Sequence, residues 1–118
     1  MDTEQDRVVD ARRLPATVIC SFMKMAANGD CSMYYVGITG DIAANKSRHK
    51  NDEFAGEDFR YTVIYKCKDY DTAASVEMLM GGFGFDIGDT DTFGCGGNED
   101  SIYVYMFKKP EKQREGAK

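Results

Sequence analysis

No two of the four cysteines, Cys20, Cys31, Cys67 and Cys95, stand in a CxxC-type pair. This argues against a structural zinc site built on thiolates at the usual spacing. Cys20 and Cys67 fall inside apolar patterns and read as buried, reduced thiols that behave as small hydrophobes. There is no apolar run near the ~18 residues that a membrane-spanning helix needs. The stretch MDTEQDRVVDARR has no apolar centre of its own, so no secretory signal is read there. The expectation is a soluble, cytoplasmic protein. Positive charge is also outnumbered, with 15 Lys and Arg against 20 Asp and Glu. The net charge of −5 argues against a broad non-specific grip on nucleic acid, which depends on phosphate neutralisation by Lys and Arg.

What remains is enough for one domain. The chain has 118 residues, 42% of them apolar, and a compact domain typically runs ~100–150 residues. Residues 1–14 read as a flexible polar tail, 15–109 as a single domain and 110–118 as a charged tail after Pro110. TVICSFMKM, 17–25, is β-branched and apolar and reads as a strand. Asn28-Gly29 follows as a hairpin signal. SMYYVGIT, 32–39, is the returning strand, with Tyr34, Val36 and Ile38 on one face and Met33, Tyr35 and Gly37 on the other. Gly40 and Asp41 turn the chain, and Asp41 can cap a helix from 42 to about 50.

An acidic loop, 51–59, leads to a third strand, RYTVIYKCK at 60–68, and Asp71 or Thr72 caps a second helix at 72–80. Residues 81–100 hold seven glycines, so no regular element is expected there. That segment meets no known nucleotide-binding motif, and its five acids repel anions. SIYVYMFKK, 101–109, is a fourth strand. The order β-β-α-β-α-loop-β predicts an α+β fold, a small mixed, largely antiparallel sheet with helices packed on it. Against the acidic background, Lys46, Arg48 and Lys50 make one locally basic helix, which also carries His49, the only histidine.

Tyr35-Val36-Gly37-Ile38-Thr39, followed by Asp41 and His49 in a D-x-x-x-R-x-x-x-H spacing, resembles the GIY-YIG nuclease family. The resemblance spans roughly 17–108 and is best matched over 34–49. It implies metal-dependent hydrolysis of DNA phosphodiesters. Glu77, on the second helix, falls where the family's metal-holding glutamate would lie and would bind Mg²⁺ or Mn²⁺. Tyr35 and His49 would serve as general acid–base groups. Gly37, Asn45, Lys46 and Asn98 would contact substrate. The chain departs from the family pattern twice. The first strand as read has no tyrosine, Cys20 or Phe22 lying nearest that place, and the family's arginine position holds the neutral Asn45.

A cation at that point is worth about 10²–10⁵ in rate. Arg48, three residues on, stands on a neighbouring ridge of the same helix and is the candidate substitute. Two readings follow. One is a nuclease with weakened or lost turnover. The other is an inactive binding protein of the same fold, of the phage or mobile-element type, which sequesters a nucleotide-like ligand, a nucleic acid or a protein partner. The nuclease reading requires Tyr35, Asn45, His49 and Glu77 to converge on one concave surface.

Overall fold

The computed structural model describes residues 7–50, 60–88 and 100–109. Strands and helices alternate along it: β1 (Val8–Asp10), α1 (Ala16–Ala27), β2 (Tyr34–Thr39), α2 (Ile42–Lys50), β3 (Val63–Lys66), α3 (Tyr70–Gly82) and β4 (Tyr103–Lys108). One turn of 3-10 helix, Cys31–Met33, leads into β2. The strands form a four-stranded sheet in the order β1-β3-β4-β2. β4 runs antiparallel to both β2 and β3, and β1 lies parallel to β3. The α+β class with a mixed, mostly antiparallel sheet is as expected. The element order is not, because the expected opening hairpin does not form. Among the described residues no helix is long and apolar enough to cross a membrane.

The residues read as a first strand are helical. Ile19, Cys20, Met23 and Ala27 are the buried positions of α1, and their spacing is that of one helix face. Full burial of Ile19 and Met23 contributes roughly 1.5–3 kcal/mol each. The Asn-Gly pair that signalled a hairpin instead ends this helix. Asn28 takes the left-handed conformation, φ 56°, and its N–H bonds back to the carbonyls of Lys24 and Met25. A left-handed residue satisfies orphan carbonyls at a helix end as readily as it turns a hairpin.

β1 adds an edge strand within the stretch read as a loose tail, and Ala11 just after it is fully buried. β3 is shorter than the expected 60–68. α3 starts earlier than expected because Asp69, not Asp71 or Thr72, is its cap. The Asp69 carboxylate accepts from the Thr72 N–H at 2.9 Å and the Thr72 hydroxyl at 2.7 Å. The helix also takes in Gly81 and Gly82, where no regular element was expected.

The sheet is packed on both faces. α1 and α3 cover one face, over Tyr34, Val36, Tyr65, Val104 and Met106. α2 covers the other, where Ile42 packs against Ile64, Tyr105 and Phe107 together with Tyr35, Tyr61 and Tyr103. β4 feeds both cores through its two-residue alternation. Asn28→Val should cost about 1–2 kcal/mol, since a β-branched residue resists the left-handed conformation. Asn28→Gly should cost a few tenths at most. Urea unfolding of the two variants checks this.

Candidate functional site

α2 is set in place by its cap. The Asp41 carboxylate accepts the Ala44 N–H at 3.0 Å, and the Asp41 N–H donates to the Thr39 hydroxyl at 3.1 Å. Residues 42, 45 and 49 then share the face turned to the sheet. Asn45 and His49 are 4% and 5% exposed, which is unusual for such residues and demands polar partners.

Tyr105 supplies them. Its hydroxyl lies 3.1 Å from His49 Nε2 and accepts from Asn45 Nδ2 at 3.3 Å. Tyr61 donates its hydroxyl to Asn45 Oδ1 at 2.6 Å. Around these bonds the rings interlock. Tyr35 stacks on Phe107 at 5.2 Å and on Tyr105 at 6.3 Å, and His49 stands edge-on to Tyr35 at 5.8 Å. Gly37 pairs across the sheet with Tyr105, and any Cβ there would collide with the Tyr105 hydroxyl. Close backbone approach is therefore what this glycine provides.

Sequence reading missed Tyr105. The strand beside β2 was taken to be residues 17–25, which hold no tyrosine, whereas the strand in that place is β4. Its alternation of Tyr103, Tyr105 and Phe107 was visible as an aromatic face, but only the sheet order shows which strand it borders.

The other expected residues are distributed as follows. Arg48 is exposed and lines an open cleft of ≈ 490 Å³ with Thr39, Asp41, Asn45, Asp100 and Ser101. Its charge acts on both Tyr35 and Tyr105. Lys46 is half-buried on α2 and does not line that cleft. Asn98 lies outside the described residues.

Glu77 does not join the group on one surface. α3 covers the opposite face of the sheet from the Tyr35 ring, so the convergence of Tyr35, Asn45, His49 and Glu77 on one surface, which the nuclease reading requires, fails at Glu77. Instead Glu77 opens onto a second cleft, ≈ 640 Å³, lined also by Met78, Phe85, Asp86, Ile87 and Gly88. The segment after α3 folds along the outer edge of β2. Asp86 N–H donates to the Tyr34 carbonyl at 3.1 Å, and Val36 N–H donates to the Asp86 carbonyl at 2.9 Å. Gly88 then lies against the Tyr35 hydroxyl, which a Cβ there would approach to 3.0 Å. The second cleft and the tyrosine cluster thus meet around the β2 edge.

The electrostatics join them too. Burial raises the Tyr35 phenol strongly, and Tyr105, Glu77 and Asp86 add to this while Arg48 opposes it. Burial likewise raises Tyr105, against the Asn45 hydrogen bond and the charge of Arg48. Both phenols therefore stay protonated near neutral pH and act as hydrogen-bond donors. Glu77 is 8% exposed. Among the described residues no hydrogen bond or ion pair reaches its carboxylate, and burial pushes its pKa up to about 7.

Among the described residues no group of three or more His, Cys, Asp or Glu side chains gathers to hold a metal. Glu77, with Asp86 on the same cleft, is where a cation could be held. Comparison with protein-family models, with curated proteins and with solved structures gives no match, so geometry carries the argument from here.

The raised Glu77 pKa makes a stability prediction. The native carboxyl holds its proton to about pH 7, against an ordinary value of 4.5. Its contribution is fully present below pH 4.5 and is lost as pH rises through 7. The loss is on the order of 2–3 kcal/mol. Glu77→Gln should flatten this slope. Urea unfolding in a chelator at pH 5 and pH 8 measures it, and an unchanged slope in the variant would assign the effect elsewhere.

Proposed function

We propose that the protein is a metal-dependent phosphodiester hydrolase of the GIY-YIG nuclease type that acts on DNA with weakened turnover, its Glu77 cleft meeting the tyrosine cluster around the β2 edge in place of the single concave surface that the resemblance asked for. The observation that supports this best is the position of Tyr105. The family pattern asks for a tyrosine on the first strand of an opening hairpin; here the last strand, β4, takes the place beside the Tyr35 strand. Tyr105 stands on that neighbour, bonded to the one histidine of the chain.

In this reading each side chain has a limited task. Tyr35, held protonated by burial, donates a hydrogen bond to a phosphoryl oxygen. His49 accepts a proton, with Tyr105 fixing its ring and relaying to it. Arg48 brings the remaining positive charge from the rim of the open cleft. Glu77 fits the role of a cation ligand, because it is a buried carboxylate with no protein partner among the described residues. Held there, Mg²⁺ or Mn²⁺ would supply the positive charge that phosphoryl oxygens need. Weak turnover follows from Asn45, which is neutral and is committed to Tyr105 and Tyr61.

Two observations favour the second reading, an inactive protein of this fold that sequesters a nucleotide-like ligand, a nucleic acid or a protein partner. The Tyr105–His49–Asn45 cluster is buried, and Glu77 rides on the helix that covers the other face. Nicking of supercoiled plasmid with Mg²⁺ or Mn²⁺ separates the two. Slow cleavage is expected, abolished by Glu77→Gln and reduced about 10²-fold by Tyr105→Phe. A folded parent chain that leaves the plasmid intact would overturn hydrolysis and leave the binding reading.

A further inference from the structure

Two carboxylates open onto the cleft beside the β2 edge, and sequence reading singled out only one. Glu77 enters from α3, more than nine-tenths buried, and has no partner among the described residues. Asp86 enters from the segment that follows. It is held firmly: its backbone bonds to both Tyr34 and Val36, and its Oδ1 accepts the Gly88 N–H at 2.9 Å. Its Oδ2 accepts from the Lys109 ammonium at 3.1 Å, in a pair largely shielded from solvent on the lysine side. Each carboxylate oxygen keeps a second lone pair. The rest of the lining is Met78, Phe85, Ile87 and glycine, which offers a cation no competing side-chain charge.

We propose that Glu77 and Asp86 together form the divalent-cation site of this protein, with Lys109 fixed at Asp86 as a competing cation. The inference rests on the metal-dependent reading for Glu77 and adds Asp86 to it. A hard cation seeks carboxylate oxygens, and its affinity follows the charge that its ligands bring. One buried carboxylate brings a single negative charge. Asp86 brings the second, at a backbone position clamped to β2, and reaches the ion directly or through one of its waters. Lys109 offsets part of that charge and keeps the affinity low.

Calorimetric titration of the full chain with Mn²⁺ alone, after removal of metal by a chelator, tests this. Binding is expected for the parent chain and its loss in Glu77→Gln. Asp86→Asn, which keeps the backbone bonds to β2, should weaken binding about 10–100-fold. Lys109→Gln should tighten it severalfold. Thermal unfolding in chelator shows whether each variant is folded, and the Lys109→Gln result decides the matter if Asp86→Asn is not. Parent-like affinity in folded Asp86→Asn, or no tightening in Lys109→Gln, would overturn the role of Asp86. If Glu77→Gln still loses binding in that case, the metal-dependent reading stands without it. A parent chain that takes up no Mn²⁺ at millimolar concentration would overturn both.

Discussion

The Tyr105 hydroxyl lies over Gly37, at a place on β2 where any side chain would collide with it. That contact is fixed by register, since Gly37 and Tyr105 are cross-strand partners and Ile64 pairs with Tyr105 on the other side. A strand bonded on both edges has no freedom to slide, because a one-residue slip would turn Tyr105 into the wrong core. The seat of α2 depends on this. The helix presents little apolar surface, and its two buried polar residues find their partners on Tyr105 and Tyr61. The aromatic stack beneath them, Tyr35 on Phe107 and Tyr105, supplies the apolar burial that α2 lacks.

The same burial sets the electrostatics. Desolvation is the leading cause at Tyr35, Tyr105 and Glu77, and it favours the neutral form of each. Among the described groups, Arg48 is the positive charge that opposes it at both phenols, and it does so from an exposed helix position. Lys109 is spent on Asp86. The region around the β2 edge therefore holds protonated phenols, a Glu77 carboxyl that burial pushes toward its neutral form, and an Asp86 carboxylate balanced by Lys109. An anion would gain little there unless positive charge came with it.

Sequence reading recovered the segments where several local signals agree. In β2 the two-residue alternation and the following Gly40-Asp41 turn point the same way, and the faces are as read from Tyr34 onward, whereas Met33 belongs to the 3-10 turn before the strand and packs on the Tyr34 side. α2 is equally legible because Asp41 sits one residue before the helix. α1 was lost because Thr17, Val18 and Ile19 begin it with β-branched residues, and its apolar run is short enough to fit either period. Only the burial of Met23 and Ala27 together with Ile19 and Cys20 resolves it, and burial is a tertiary fact. Asn28-Gly29 carried a correct conformational signal with the wrong neighbour attached. Tyr105 and the face of Glu77 are harder still. Which strand borders β2, and which side of the sheet a helix crosses, are set by pairings distant in sequence that no local pattern encodes.

Asn45 is where the two functional readings divide, and its surroundings say why a cation is absent. Its amide donates to Tyr105 through Nδ2 and accepts from Tyr61 through Oδ1. An arginine at 45 has donors only, so the Tyr61 hydroxyl would lose its acceptor. Its charge would also enter a site that is 4% exposed, where desolvation of a charge is costly. The neutral amide is thus the residue that the packed aromatic core accepts. The consequence is a division of labour, with hydrogen-bond donors held inside and charge kept to the rim at Arg48. A phosphodiester would meet that rim before it met the tyrosines. Hydrolysis by such a site depends on how far the cleft beside Glu77 can supply what Asn45 does not.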